Sequence, residues 1–191
     1  MRHRGARVVT LAPMQSVQAL LIIDLQLGSL AAVPESERLL ERVGELLAKA
    51  RAAGVLIVHV QNDGAPGTAD APGGPGWELH FGVEPGESII RKLRDDSFAG
   101  TPLAELLAAH DVQAVAICGL MSEMCVSATA RTALARGLRV VLPHDAHSTT
   151  GIPATAVTPA ISAETVSRVA EWALGDELEL VEHAGELSFS N

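Results

Sequence analysis

Short unbroken apolar runs alternate along this chain with longer stretches in which apolar residues recur every three to four positions. ALLIID at Ala19–Asp24, VLIVHV at Val55–Val60 and VQAVAICG at Val112–Gly119 belong to the first kind. They are short and apolar on both alternating faces, as strands buried on both sides of a sheet must be. Between the first two, Leu39, Leu40, Val43, Leu46, Leu47 and Ala50 form a helical stripe within Pro34–Ala53, and Gly54 is placed to end it. Strands that alternate with helical stretches predict βαβ units. The expected fold is therefore α/β: a three-layer sandwich with a mostly parallel sheet of about six strands and helices on both faces.

The same reading predicts a short third strand at Ser88–Lys92, a helix at Thr101–His110, a helix at Ser122–Arg136 and a fifth strand at Leu138–Pro143. A last long helix follows at Pro159–Leu174, then a sixth strand at Leu178–Val181 and a frayed tail from Glu182. Gln61–Gly86 has no periodicity, and Gly and Pro crowd there around Trp77 and His80. A loop of that length inside a compact unit is usually a lid or a binding loop. Residues 1–16 are expected to form a loosely ordered arm ahead of one domain at 17–191, which is the usual size for a single core.

In an open parallel sheet, ligands bind beyond the carboxyl ends of the strands, where the strand order reverses. Three reactive side chains fall at or just past such ends: Asp24, Lys92 and Cys125. A carboxylate at the end of an apolar strand is costly unless paired or used. A lysine at the end of the third strand is placed to supply the pairing charge. Cys125 falls in the first turn of the predicted helix after Gly119, where the positive end of a helix dipole stabilises a thiolate, the competent nucleophile. The intervening GLMSE turn can present backbone N–H groups to a developing oxyanion. Gln26, just after the first carboxylate, and Phe98 join Trp77 and His80 of the long loop as candidate substrate contacts.

Composition narrows the class of ligand. The chain carries 23 acidic and 14 basic residues, a formal charge of −9, so it offers no basic stripe for a phosphate backbone. With no Tyr, three Phe and two Trp it also lacks the stacking platforms of single-strand binders. A small-molecule substrate is expected, and no nucleic acid. The two cysteines, Cys118 and Cys125, are separated by a strand end running into a helix, which disfavours a bridge and suggests a reducing, cytoplasmic setting. No segment approaches 18 continuous apolar residues, so no membrane partner is expected.

LLIIDLQ at Leu20–Gln26, IRKLRDDSFAGTPL at Ile90–Leu103 and CGLMSEMCVSATARTALARGLRVVLPHDAHST at Cys118–Thr149 together resemble the isochorismatase-like cysteine hydrolase family, which includes nicotinamidases. The resemblance covers roughly Ala19–Thr149. It implies Asp24 as general base and acid, Lys92 as charge partner and Cys125 as nucleophile. It also implies a cis peptide between Leu120 and Met121, with an oxyanion hole from the backbone N–H groups of Met121 and Cys125. The reaction implied is hydrolysis of an amide or lactam C–N bond through a thioester, without a cofactor, by a protein that assembles as a homo-oligomer.

Two departures matter. Nicotinamidases of the family bind a metal through an Asp-x-His arrangement and further histidines after the second strand. Here that region reads HVQNDGAPGTADAPGGPGWELH, with His59 inside the predicted strand and no Asp-x-His, so no metal is expected at the site. Family members that cleave a vinyl ether do not need the cysteine, so Cys125 favours C–N hydrolysis. A vinyl-ether hydrolase and a nonenzymatic oligomeric binding member remain as alternatives. A dinucleotide-binding domain is disfavoured, because DLQLGSLAAVP carries one glycine where G-x-G-x-x-G is needed. A serine triad enzyme is disfavoured by the lack of a G-x-S-x-G elbow.

Overall fold

A computed structural model describes residues 16–190. The expected arm at 1–16 therefore lies outside the described residues except for Ser16.

Strand β1 (Ala19–Ile23) lies at the centre of the sheet, with β2 (Leu56–Asn62) on one side and β4 (Ala114–Leu120) on the other, both parallel to it. Outward from β2 comes β3 (Ser88–Lys92). Outward from β4 come β5 (Arg139–Pro143) and β7 (Glu179–Val181). The order among the described residues is β3-β2-β1-β4-β5-β7, with a two-residue β6 (His147–Ser148) also paired to β4. Each of these strands runs parallel to its neighbours, and the order reverses between β1 and β4.

β1 divides its side chains between the two faces of the sheet. Leu20 and Ile22 pack with Val43, Leu46 and Leu47 of helix α2 (Ser36–Ala53), while Ala19, Leu21 and Ile23 pack with Leu107 of α3 (Leu103–Ala109) and Ala130 and Ala133 of α4 (Ser127–Ala135). This two-sided burial is why the strand reads as an unbroken apolar run. Gly54 ends α2 at φ 66°, the left-handed conformation that favours glycine. Gly119 is constrained by space as well as by its φ of 118°, because a Cβ there would lie 2.0 Å from the Ile23 carbonyl oxygen. Only glycine permits β1 and β4 to approach so closely at the reversal point.

The structure corrects three expectations. The tail from Glu182 is docked, not frayed: Ala184 and Leu187 are buried, and Phe189 pairs with Val17 beside the first strand. The last helix, α5 (Ala163–Ala173), starts four residues later than expected, with the Ser162 hydroxyl accepting from the Thr165 N–H as its cap. The predicted helix from Ser122 opens as a wide π-type turn (Ser122–Val126) before α4, and a four-residue α1 (Leu27–Leu30) follows β1. Among the described residues, no helix is long and apolar enough to cross a membrane.

Candidate active site

The ends of β1, β3 and β4 bring Asp24, Lys92 and Cys125 together at the order reversal. Asp24 leaves β1 with φ 49°, a left-handed conformation that short polar residues tolerate better than branched ones. Lys92 ends β3, whose inward positions are Ile90 and Lys92, so its side chain enters the interior and is 1% exposed. Cys125 is the fourth residue of the π-type turn, closed by the Val126 N–H donating to the Met121 carbonyl at 3.2 Å. The peptide between Leu120 and Met121 is cis.

Lys92 Nζ lies 2.6 Å from Asp24 Oδ2, 3.2 Å from Cys125 Sγ and 3.4 Å from Asn62 Oδ1. The three contacts match the three N–H donors of an ammonium. Asp24 is 5% exposed, and its other oxygen, Oδ1, is buried without a hydrogen-bond partner among the described residues. A buried orphan oxygen is costly and is rare away from functional sites. Together with Leu120, Met121 and Met124, the residues Asp24, Ser29, Asn62, Asp70, Asp95 and Cys125 line a cavity of about 210 Å³. Asp95 approaches the thiol as well, with Oδ1 at 3.7 Å from Sγ.

The electrostatics run against the expectation that a helix dipole stabilises the thiolate of Cys125. Burial, and then the negative charge of Asp24, push the Cys125 thiol up to about 12, against the pull of Lys92. Burial also raises Asp24 above its ordinary value, opposed by Lys92. Lys92 is raised, because the charge of Asp24 and its hydrogen bonds outweigh its own burial. Burial and Asp24 together favour the neutral thiol beside the Lys92–Asp24 ion pair.

Of the four expected substrate contacts, none lines this cavity. Gln26 is fully buried: its Nε2 donates to the carbonyls of Asn62 and Trp77, each at 3.0 Å, and its Oε1 accepts from the Asn62 N–H at 2.8 Å. Its effect on the site is indirect, through Asn62. Trp77 sits in a 3-10 turn (Pro75–Trp77), where its indole N–H donates to Asp63 and Arg91 stacks on its ring. His80 is exposed and edge-on to Phe81, and Phe98 is core beneath Arg136. Sequence reasoning missed Asn62, Asp70, Asp95, Ser29 and Met124. Asn62 carried a usable signal, since it ends β2 and pairs in register with Lys92. Asp70 and Asp95 lie on loops that only tertiary structure brings to the cavity.

A doubly wound parallel sheet with an Asp, a Lys and a Cys meeting at its switch point defines a hydrolase-type α/β site. The chain belongs to the isochorismatase family: the isochorismatase domain matches residues 18–159. Two streptothricin hydrolases from Streptomyces noursei are 54% and 56% identical to it over 187 and 179 residues, covering 95% and 91% of this chain. The chain spans 74% and 65% of their lengths. Among solved structures, an isochorismatase from Pseudomonas putida KT2440 superposes with a TM-score of 0.83 at 29% identity, over 92% of this chain and 93% of that one. The pyrazinamidase of Pyrococcus horikoshii, solved in complex with zinc, gives 0.72 at 27% identity, over 86% and 98%.

The segment after β2, where the resemblance places a nicotinamidase metal, does not fit such an ion here. It gathers no trio of His, Cys, Asp or Glu ligand atoms among the described residues. Asn62 Nδ2 instead donates to Asp70 Oδ2 at 2.5 Å, and His59 is buried against Glu87, 2.9 Å away. Burial lowers His59 below its ordinary value, and Glu87 opposes that shift.

Proposed function

We propose that this protein is a cysteine amidohydrolase that opens an amide or lactam C–N bond of a small molecule, with streptothricin as the first substrate to test. The observation that carries the reading is Lys92 Nζ bridging Asp24 Oδ2 at 2.6 Å and Cys125 Sγ at 3.2 Å beside one cavity. Asp24 takes the thiol proton as sulfur attacks the carbonyl carbon, forming C–S while the carbonyl π pair moves to oxygen. The N–H groups of Met121 and Cys125 receive that oxyanion. Its collapse breaks C–N, and the amine leaves with the proton held by Asp24. Water, deprotonated by Asp24, then attacks the thioester, and the acid departs as the thiol is restored. Lys92 stays protonated throughout and offsets the negative charge that moves between sulfur and carboxylate.

The wall weighs against the vinyl-ether alternative. Besides the paired Asp24, the cavity is faced by Asp70 and Asp95, and isochorismate is a dicarboxylate. Two further carboxylates repel such a substrate and accommodate a neutral or cationic amide. The test is a panel of streptothricin, simple amides and lactams followed by mass spectrometry for addition of water and by amine release. Turnover abolished in Cys125→Ala supports the reading. Vinyl-ether cleavage that survives Cys125→Ala, with no amide turned over, overturns it.

A further inference from the structure

A second set of ligating side chains converges away from the Cys125 cavity. His144 and His147 flank a 3-10 turn (His144–Ala146) at the carboxyl end of β5, and Glu171 projects from α5. One donor atom from each lies within 4.8 Å of the other two. His144 Nδ1 at 2.5 Å and His147 Nε2 at 3.1 Å both reach the same oxygen, Glu171 Oε1. His147 and Glu171 are buried, whereas the His144 side chain is 43% exposed and lines an open cavity of about 970 Å³.

The remaining polar atoms of the two buried residues are already held in place. His147 Nδ1 pairs with the Ser122 hydroxyl at 2.8 Å, and that hydroxyl pairs with Ser167 at 2.9 Å. Glu171 Oε2 accepts from Arg168 at 2.7 Å. Metal-binding imidazoles are typically fixed in this way, with the second ring nitrogen engaged by a neighbouring polar group.

We propose that His144 Nδ1, His147 Nε2 and Glu171 Oε1 form a binding site for a divalent ion of the zinc type. Two imidazoles and one carboxylate suit Zn²⁺ or Co²⁺ and disfavour Mg²⁺ and Ca²⁺, which prefer all-oxygen shells. Donors about 2.0–2.2 Å from one ion are separated by about 3–3.5 Å, so rotation of the exposed His144 ring is the main adjustment. The protons balance by tautomer exchange. In the metal-free form, Nδ1–H of His144 and Nε2–H of His147 both donate to Glu171. On binding, the His144 proton moves to Nε2, facing solvent. That of His147 moves to Nδ1, which then donates to Ser122. The fourth position faces the open cavity. None of the three ligands lines the Cys125 cavity, so the ion ties the end of β5 to α5 and takes no part in hydrolysis.

The test is titration of chelator-stripped protein with Zn²⁺ and Co²⁺, read by calorimetry, by Co²⁺ visible absorption and by melting temperature. One equivalent binding tighter than about 100 µM, with a rise in melting temperature, is expected. His144→Ala, at an exposed position that does not endanger the fold, should weaken binding at least about tenfold. His183→Ala, whose imidazole contacts Asp145 instead, should leave affinity unchanged. Absence of binding below that concentration, or equal affinity in His144→Ala, overturns the site.

Discussion

Asp24 and Glu171 are both buried carboxylates beside strand ends, yet their surroundings drive them in opposite directions. Asp24 is raised, mainly by burial, and it has one cationic partner, which it shares with a thiol and Asn62. Its Oδ1 has no hydrogen-bond partner among the described residues. Glu171 is buried as deeply, but His144, His147 and Arg168 all hold it, and it is lowered to about 2. The difference teaches that burial alone does not set the charge state of a carboxylate; the number of donors around it does. An under-satisfied carboxylate can take and return a proton, whereas a saturated one can only hold structure together.

The sharpest way to break this contrast is to remove the proposed reacting groups. Cys125→Ala should lower kcat/KM by about 10⁴-fold or more while leaving the melting temperature close to that of the parent, because the thiol is the proposed nucleophile and only edges the core. Asp24→Asn should cost about 10²–10⁴-fold, since it removes the proposed base for a thiol pushed up to about 12. A variant that keeps most of its activity in either case would rule out the proton route from Cys125 to Asp24. In the parent, the basic form of Asp24 is lost as pH falls through its raised value. The acid limb of kcat/KM should therefore lie above the ordinary aspartate value of 3.8.

Lys92→Met tests the charge partner. Removing one member of a buried ion pair typically costs about 3–5 kcal/mol, and with Lys92 gone Asp24 protonates more readily. Chemical denaturation should show the loss of stability, and the acid limb of kcat/KM should move to higher pH. An unchanged limb would mean that Lys92 does not act on Asp24.

Much of this architecture is legible in the sequence, for a reason that also marks where legibility stops. β1, β2 and β4 are short, two-sided apolar runs, and the reactive residues at or near strand ends follow from the parallel-sheet rule. The π-type turn reads as ordinary helix because its apolar spacing, Met121 to Val126, does not distinguish one turn from the other. The docked tail escapes because Leu187 and Phe189 are covered only by distant partners, α2 and Val17. The cavity walls escape for the same reason, since Asp70 and Asp95 carry no local pattern. Gln26, Trp77 and Phe98 look chemical in sequence, but their polar atoms and rings are spent on scaffold contacts.

Glu171→Gln probes the saturated side of the comparison. A carboxylate lowered from 4.5 to about 2 contributes stability that is fully present above the unfolded value and is lost as pH falls toward about 2. The parent should therefore lose on the order of 2 kcal/mol from this group across that window, and Glu171→Gln should be less stable at neutral pH but less sensitive to acid. Unfolding curves at about pH 7, 4.5 and 3, which bracket the ordinary carboxylate range, measure both effects. Equal acid sensitivity in the two proteins would show that Glu171 is not held as its three partners imply.

The smallest expected effect is also the cleanest separation of the two regions. Exhaustive chelation should leave amide hydrolysis unchanged, because Asp24, Lys92 and Cys125 carry the proposed proton and acyl transfers with side chains alone. The segment after β2 offers Asn62 and Asp70 bonded to each other where the zinc-type ligands of a nicotinamidase would be expected. If an ion occupies His144, His147 and Glu171, its removal should lower the melting temperature without changing the rate, since none of those ligands lines the Cys125 cavity, even though His147 bonds Ser122 in the turn and pairs in register with Gly119 of β4. Rates and melting curves measured on the same stripped and reloaded samples decide the matter. A rate that falls with chelation and returns with Zn²⁺ would join the two regions into one functional unit, and Glu171 would then have to be counted with Asp24.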